Sequence, residues 1–315
     1  MLRALEDAMP ATRPFRFAAV VRQAGSAKEW AEKVRRLEDS GFDAVLVPDH
    51  LVGPRFAPVA ALTAAACATT RLRVGTLVFA NDFRHPAVLA KEAATLDVLS
   101  DGRLDLGLGT GWMAADYTAA GLRFDPPGVR VDRLAEAVAV LRGLWADGPF
   151  TFHGRHYRIT GLDQQPKPVQ RPYPRLLLGG GGPRMLGLAA RHADVINLGM
   201  RVRADGTGPD GADGGLAAFL AKIDVVRRAA GPRFERIELG TSVLQAGARR
   251  KRAAWSAADD SGQAETPQVL LGTAADMIAK LRHWRDEHRV SYFVLHDERD
   301  LPAFTPVVEA LAGGT

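Results

Sequence analysis

Short apolar runs alternate with helix-length amphipathic segments along the chain, and this alternation restricts the fold more than any other feature. Apolar runs of this length indicate buried strands, and a helix between two such strands favours parallel pairing through a crossover connection. The series predicts an α/β fold, specifically a (β/α)8 TIM barrel with insertions. Eight runs follow the pattern, at residues 15–21, 44–47, 72–79, 103–109, 175–178, 194–198, 236–244 and 291–295.

A doubly wound open sheet also uses up to eight strands, so the first strand-to-helix connection is the informative one. A doubly wound sheet usually carries its ligand site in that turn, and here the turn after Val21 contains only Gly25. We therefore predict one barrel domain over residues 1–315. Two insertions are expected: a hairpin excursion at 148–174, and a Gly- and Asp-rich loop at 200–216 that acts either as a mobile lid or as a plain linker.

The first crossover helix has well-defined ends in the sequence. Ser26 and Glu29 have the spacing of a capping box, in which each residue's side chain bonds the other's backbone N–H. Gly41 provides a left-handed stop after the last apolar position. These signals predict a complete βαβ unit within the first fifty residues.

Composition narrows the classes of function. No apolar run is long enough for a membrane span, and the first residues lack the apolar core of a secretory signal, so a cytoplasmic protein is expected. The single cysteine, Cys67, excludes intramolecular disulfides and is predicted to lie in the core. The net charge is only +5, and the basic cluster at 249–252 with Trp255 is interpreted as a solvated helix face. No nucleic-acid partner is predicted.

The first candidate for chemistry follows the second strand, where Asp49 and His50 are adjacent. The catalytic residues of a barrel lie at the carboxyl ends of its strands, and an imidazole beside a carboxylate can exchange a proton near neutral pH. The alternative interpretation is that Asp49 caps a turn and His50 is an ordinary loop residue. We predict the catalytic role.

The second candidate follows the fifth strand, where four glycines precede a helix that opens with Pro183. Glycines let backbone N–H groups approach a ligand, and a helix N-terminus favours an anion. Arg184 would add a positive charge. The spacing fits neither a P-loop nor GxGxxG, so the segment predicts a phosphate cradle without naming the nucleotide. The glycines are Gly179, Gly180, Gly181 and Gly182.

Aromatic and thioether side chains near other strand ends would line an apolar substrate pocket, although such residues also serve as plain packing. No metal site is predicted, because the eight histidines are scattered and HExxH is absent. No G-x-S-x-G elbow suggests acyl transfer. The candidate pocket residues are Phe56, Phe79, Trp112, Met113 and Tyr117.

Taken in order, these segments resemble the luciferase-like monooxygenase superfamily, particularly its branch that uses the deazaflavin coenzyme F420. The likeness covers most of the chain. It rests on GFDAVLVPDHL at 41–51, on residues 71–112 from RLRVGTLVF to GTGW, on FHGRHY at 152–157 and on PRLLLGGGGPRMLGLAARHAD at 174–194. The motif DFRHP at 82–86 favours the deazaflavin branch.

The resemblance implies a bacterial luciferase-like barrel that holds its coenzyme at the carboxyl end of the strands. The phosphate would then lie at the glycines from 180 to 182, and the ring near Asp49 and Gly109. A non-prolyl cis peptide, which members of the branch carry in strand three, would fall between Leu77 and Val78. His50 would move the proton during hydride transfer. Relatives often form homodimers, and a homodimer is expected here.

Two departures bear on the substrate. Relatives that oxidise sugar phosphates carry an acid after the Gly-Thr-Gly of strand four and a Trp four positions beyond the His, and here those positions are Trp112 and Pro54. Sugar-phosphate oxidation is therefore not expected. The prediction is an F420-dependent oxidoreductase that transfers a hydride between the deazaflavin and an apolar organic substrate, with reduction of the substrate as the favoured direction.

Two alternatives stay open at this point. The first is a monooxygenase that uses oxygen and reduced FMN supplied by a separate reductase. The second is a barrel that binds the coenzyme without catalysing a reaction.

Overall fold

The computed structural model describes residues 13–248 and 262–313. Eight of its strands form the barrel, and helices connect most of them. The strands in the described ranges are β1 (Arg16–Val20), β2 (Ala44–Val47), β3 (Arg73–Thr76), β4 (Phe79–Ala80), β5 (Leu104–Gly109), β6 (Phe150–His153), β7 (Arg158–Leu162), β8 (Arg175–Gly180), β9 (Val195–Leu198), β10 (Glu238–Val243), β11 (Gln245–Gly247), β12 (Val269–Leu271) and β13 (Val290–Leu295). The α-helices are α1 (Ala27–Asp39), α2 (Pro58–Ala68), α3 (Pro86–Leu99), α4 (Ala114–Ala120), α5 (Pro127–Trp145), α6 (Pro183–His192), α7 (Leu216–Ala230), α8 (Ala274–His288) and α9 (Leu301–Leu311).

The barrel is a closed ring of parallel strands in the order β1, β2, β3, β5, β8, β9, β10, β13. Pairing of β3 with β5 and of β13 with β1 completes the ring. Strand β4 prolongs the third position by pairing with β5. The predicted (β/α)8 barrel is confirmed, and each of the eight predicted runs overlaps a barrel strand.

One of the strand boundaries that differ from the prediction affects the candidate site. The fifth barrel strand, β8, continues to Gly180, because Gly179 and Gly180 pair in register with Asn197 and Leu198 of β9. The first two of the four glycines are therefore strand residues and do not belong to the loop that follows.

Both predicted insertions have defined structure. Strands β6 and β7 form an antiparallel hairpin outside the barrel. The segment after β9 is closed by a bridge between Val202 and Pro209, and Asp213 anchors it by accepting from the Arg201 backbone N–H at 2.6 Å. The Gly206 carbonyl accepts a hydrogen bond from the Ala114 N–H at 3.2 Å, so this loop packs on the start of α4.

Local signals in the first crossover were largely correct. The Ser26 hydroxyl caps α1 by accepting from the Glu29 N–H, whereas the Glu29 carboxylate accepts from the Gly25 N–H, one residue before the predicted partner. Gly41 has the predicted left-handed conformation, with φ +81°. The prediction for Cys67 was wrong: it lies on the solvent side of α2 and is exposed. Among the described residues, no helix has the length and apolar content that crossing a membrane requires.

Side chains alternate between the two faces of each barrel strand, which gives two separate cores. The larger core lies between the strands and the surrounding helices. The smaller core fills the barrel, and the cis-linked pair Leu77 and Val78 packs against it. Its buried members are Ala18, Val20, Ala44, Leu46, Leu177, Val195, Tyr292 and Val294.

The amino-terminal end of the barrel is closed by a network of charged side chains. Arg16 binds Glu238 at 2.9 Å and Asp105 at 3.3 Å, Arg73 binds Asp105 at 2.8 Å, and Arg175 binds Glu238 at 2.6 Å. Burial alone would raise the pKa of Asp105, but Arg73, Arg16 and Arg175 outweigh it and lower the pKa. This end is filled, so a ligand must enter from the carboxyl end.

Candidate active site

The carboxyl end of the barrel has a polar floor next to the inner core. Asn197 on β9 is buried, and its amide donates to the Ser242 hydroxyl at 3.4 Å. Its Oδ1 atom is inaccessible to solvent and has no hydrogen-bond partner. Because buried acceptors in folded proteins are nearly always paired, this atom marks a place where a ligand donor fits.

One wall of this open end, the mouth of the barrel, is built from small and apolar residues. The peptide bond between Leu77 and Val78 is cis, as the resemblance implied. A Cβ atom added to Gly109 would lie 2.6 Å from Val78 Cγ2, and one added to Gly179 would lie 3.8 Å from both Val78 and Asn197. The predicted contacts Leu77, Val78, Gly109 and Gly179 are therefore brought together beside the polar floor.

Next to this wall, the segment after β2 carries His50, and a buried carboxylate holds it. His50 Nδ1 lies 2.7 Å from Asp116 Oδ2, while Asp116 Oδ1 accepts from the backbone N–H groups of Leu51 and Val52 at 2.9 Å each. A carboxylate only accepts, so in the neutral ring the hydrogen is on Nδ1 and Nε2 is left to exchange a proton. The Trp112 ring meets the imidazole edge-on, with centroids 5.6 Å apart.

Asp116 is a functional candidate that the sequence interpretation missed. It lies 66 positions from His50, in the first turn of α4, where an acidic residue is ordinary. The available signal was that Asp116 follows the fourth strand closely, at the same end of the barrel as His50. Only the folded chain shows that its carboxylate faces the imidazole.

Asp49 has a different role from the one predicted. Its Oδ2 accepts from Arg84 Nη1 at 2.7 Å and from the Ala80 N–H at 3.0 Å, and its Oδ1 accepts from Arg84 Nη2 at 3.1 Å. A carboxylate that accepts two hydrogen bonds from one guanidinium and one from a backbone N–H is held in a fixed position. Asp49 is therefore a positioning residue that joins the end of β2 to β4.

The glycine segment divides into two parts. A Cβ atom at Gly181 would lie 2.5 Å from both the Arg201 N and the Gly199 O atoms, so close backbone packing explains this glycine without a ligand. Gly182, the N-cap of α6, has nothing within 4 Å of its Cβ position. The space for an anion at this helix N-terminus is therefore in front of Gly182.

Arg184 differs from its predicted role in the cradle. Its guanidinium binds Asp132 of α5 at 2.6 Å, and both side chains are exposed. The side chain therefore bridges two helices on the outside of the barrel.

The predicted apolar pocket is only partly assembled. Phe79 is buried in the outer core beneath the Arg84 guanidinium, so it faces the helices. Tyr117 is fully buried, and its hydroxyl donates to Asp82 at 3.1 Å. Phe56 packs against Trp30, with ring centroids 5.4 Å apart. Trp112 reaches the mouth through its contact with His50, and Met113 follows it as the N-cap of α4.

Other kinds of site are not supported by the described residues. In residues 13–248 and 262–313, no three His, Cys, Asp or Glu side chains come together as metal ligands do. The basic cluster at 249–252 and Trp255 lie outside the described residues.

A parallel barrel with an oriented imidazole and an unpaired buried acceptor at its carboxyl end has the arrangement of a barrel enzyme. The sequence profile of the luciferase-like monooxygenase family matches residues 12–314, and the chain belongs to that family. It is thus a member of a family of flavin- and F420-dependent oxidoreductases.

The more similar relatives include users of both coenzymes. The chain is 32% identical to an F420-dependent glucose-6-phosphate dehydrogenase of Amycolatopsis mediterranei over 64% of this chain and 63% of the relative. It is 32% identical to an FMNH2-dependent dimethylsulfone monooxygenase of Pseudomonas putida over 40% of this chain and 35% of the relative. The chain thus aligns with less than two thirds of the length of either relative.

Among solved structures, an F420-dependent secondary alcohol dehydrogenase in complex with an F420-acetone adduct superposes with a TM-score of 0.74. The match covers 95% of this chain and 99% of the other at 20% identity. At that identity the likeness shows a common fold.

Proposed function

We propose that the protein is an F420-dependent oxidoreductase that transfers a hydride between the deazaflavin and an apolar organic substrate, in the direction of substrate reduction. The F420-dependent relatives support the choice of coenzyme. The observation that carries the proposal is the 2.7 Å contact between His50 and Asp116 at the barrel mouth, because it orients an imidazole for proton exchange. The missing acid and Trp, replaced by Trp112 and Pro54, argue against a sugar phosphate as the substrate.

Three features of the mouth fit this coenzyme. The unpaired Asn197 Oδ1 suits a heterocyclic N–H donor. Leu77, Val78 and Gly109 provide an apolar face for a flat ring system. The open N-terminus of α6 at Gly182 suits a phosphate, because unpaired N–H groups and the helix dipole both favour an anion.

The protein's own residues supply placement and a proton. When bound, F420 is a two-electron carrier that gives or takes a hydride. His50 supplies a proton from Nε2 to the reduced substrate atom, and the Asp116 carboxylate stabilises the imidazolium form that precedes the transfer. Trp112 restricts rotation of the imidazole, and Asp49 fixes the adjoining strand end through Arg84.

A second candidate is oxygen-dependent monooxygenation with reduced FMN from a separate reductase. The similarity to the dimethylsulfone monooxygenase favours it. Both coenzymes carry a phosphate and a flat ring, so the same mouth suits either. Binding measurements distinguish them.

The proposal is tested by replacing Gly182 with larger residues, because a Cβ atom at this position would have no protein atom within 4 Å. Its backbone angles, φ −80° and ψ 146°, suit any residue, so Gly182→Val and Gly182→Ala should both fold normally. In a fluorescence titration with F420, Gly182→Ala should stay within about threefold of wild type. Gly182→Val should bind at least tenfold more weakly, a loss of about 1.4 kcal/mol. Unchanged F420 affinity in Gly182→Val would show that the phosphate does not bind at this helix N-terminus.

A further inference from the structure

The side of the mouth formed by β1 and β13 carries two polar residues that the proposed chemistry does not use. Val20 and Val294 are the last inner-core residues of these strands. Ladder hydrogen bonds continue past both strands, at the N–H groups of Val21 and His296. Because side chains alternate along a strand, Arg22 and His296 point next toward the barrel axis, above the inner core.

Both residues lack the partners that such groups normally have. His296 Nδ1 is inaccessible to solvent and has no hydrogen-bond partner. The Arg22 guanidinium, which is half-buried, makes no hydrogen bond or ion pair within the part of the chain that the structure describes, although its backbone N–H donates to Glu298. Leaving a buried polar atom unpaired costs about 1 to 3 kcal/mol, so His296 Nδ1 marks a place for a ligand, and Arg22 beside it is a partly exposed cation that is free to bind one.

The local charges define what that ligand is. Burial, reinforced by Arg22, lowers the pKa of His296 to about 4, so the imidazole is neutral near pH 7 and offers a hydrogen bond without a charge. The charged groups that act most strongly on Arg22 are Asp297, Glu298, Arg55 and Arg299. Both carboxylates are also bound by other cations, Asp297 by Arg299 and Glu298 by Lys33 at 3.1 Å, so neither belongs to Arg22 alone.

We propose that Arg22 and His296 bind a carboxylate of the substrate at the mouth of the barrel. A planar guanidinium pairs with a carboxylate through two parallel hydrogen bonds, and a neutral imidazole adds one donor at Nδ1. His50 follows β2, which pairs with β1, so it lies on the neighbouring side of the mouth.

This inference rests on the proposed function, and it modifies the substrate class: the molecule has an apolar, reducible body and one carboxylate. The acid would lie on the β1 and β13 side of the mouth, across from the wall that contains Val78 and Gly109. Binding of the acid, unlike turnover, does not require the coenzyme, so the two proposals can be tested separately.

The test is a titration of the full-length protein with benzoate, benzamide and inorganic phosphate. Binding is followed by the imidazole ¹⁵N chemical shifts in NMR, with the His296 signals assigned from the variant His296→Gln. Benzoate should saturate and shift the His296 Nδ1 signal, and benzamide should bind at least tenfold more weakly. Arg22→Met should weaken benzoate binding at least tenfold, and Arg22→Lys should have an intermediate effect because it keeps the charge and loses the second hydrogen bond.

Arg299→Met is the matched control, because it removes a nearby positive charge from an exposed side chain that is bound to Asp297. It should leave the benzoate affinity within about twofold. Equal binding of benzoate and benzamide, benzoate binding that survives Arg22→Met, or no binding of any probe would overturn the subsite. If phosphate binds and benzoate does not, the site binds an anion other than a carboxylate and the proposal is wrong.

Repeating the titration after adding F420 separates the two proposals. If the protein binds benzoate through Arg22 but does not bind F420, the carboxylate subsite stands and the F420-dependent function is wrong. If the protein binds F420 but not benzoate, the choice of coenzyme stands and the carboxylate subsite is wrong.

Discussion

The two ends of the barrel use the same strands and treat polar groups in opposite ways. At the amino-terminal end, Arg16, Asp105 and Glu238 are joined by ion pairs of 2.9 and 3.3 Å. At the carboxyl end, Asn197 Oδ1 and His296 Nδ1 are buried without partners. Paired charges close one end, and unpaired groups at the other end mark where a ligand completes the structure.

Two buried hydroxyls at the closed end, those of Ser291 and Tyr292, are exceptions. The Tyr292 hydroxyl has no hydrogen-bond partner, although the Arg16 guanidinium lies 4.8 Å from the centre of its ring. Burial raises the pKa of Tyr292, so it stays a neutral phenol. Both exceptions are neutral hydroxyls, whereas the charged side chains Arg16, Arg73, Asp105, Arg175 and Glu238 are all paired, so the charge network of this end is complete.

The largest expected effect is on stability, at the closed end. Asp105→Asn removes the buried carboxylate that Arg16 and Arg73 share, so two guanidinium groups lose a charged partner. Breaking a buried ion pair from one side costs about 3 to 5 kcal/mol, which urea unfolding would measure.

The matched control is Asp224→Asn, which breaks an exposed pair with Arg227. Its cost should be below about 0.5 kcal/mol. A loss under about 1 kcal/mol for Asp105→Asn would mean that the charge network does not hold the closed end.

The second effect is on rate, at the open end. Asp116→Asn keeps an acceptor for Leu51 and Val52 and removes the negative charge beside His50. We expect turnover to fall about a hundredfold, or about 2.7 kcal/mol in activation free energy, with an F420 affinity within threefold of wild type. The assay uses the enone or imine acceptor that supports the fastest wild-type turnover.

A double variant sharpens this prediction. If His50 and Asp116 act as one unit, His50→Gln combined with Asp116→Asn should be no slower than His50→Gln alone. If the fold-loss of turnover in the double variant equals the product of the two single losses, the two residues act independently.

The smallest effect is a pH dependence of stability from His296. Its folded pKa of about 4 lies below the ordinary value of 6.5, so protons bind the unfolded chain more readily, and stability falls as pH drops below 6.5. Because the side chain keeps some solvent access, the loss between pH 7 and pH 4, relative to His296→Gln, should be about 2 kcal/mol. Chemical unfolding at both pH values measures it. Parallel pH curves for the two proteins would show that His296 is not desolvated.

The fold was predictable because its signals are local. Residues 44–47 were predicted as a strand with the bounds that β2 has, since an apolar run between a glycine stop and a polar segment is unambiguous. Strand β8 was predicted too short because a run ending in glycines does not resemble a strand. Pairing with β9 supplies the stability that the glycines themselves lack.

The site was less predictable because it depends on contacts between residues that are far apart in the sequence. Alternation counted along residues 72–79 puts Phe79 inside the barrel, but the strand is interrupted after Thr76 and resumes with Phe79 on the outer side. The roles of Asp49 and Asp116 depend on which carboxylate meets Arg84 and which meets His50. No local pattern in the sequence carries that information.

The most direct test of the central claim is a side-by-side fluorescence titration of the wild-type protein with F420 and with FMN, each oxidised and reduced. The account predicts saturable binding of F420 that is at least tenfold tighter than that of either form of FMN, a difference of about 1.4 kcal/mol. Preference for reduced FMN would contradict the hydride-transfer proposal and favour the monooxygenase. Binding of neither coenzyme would contradict both.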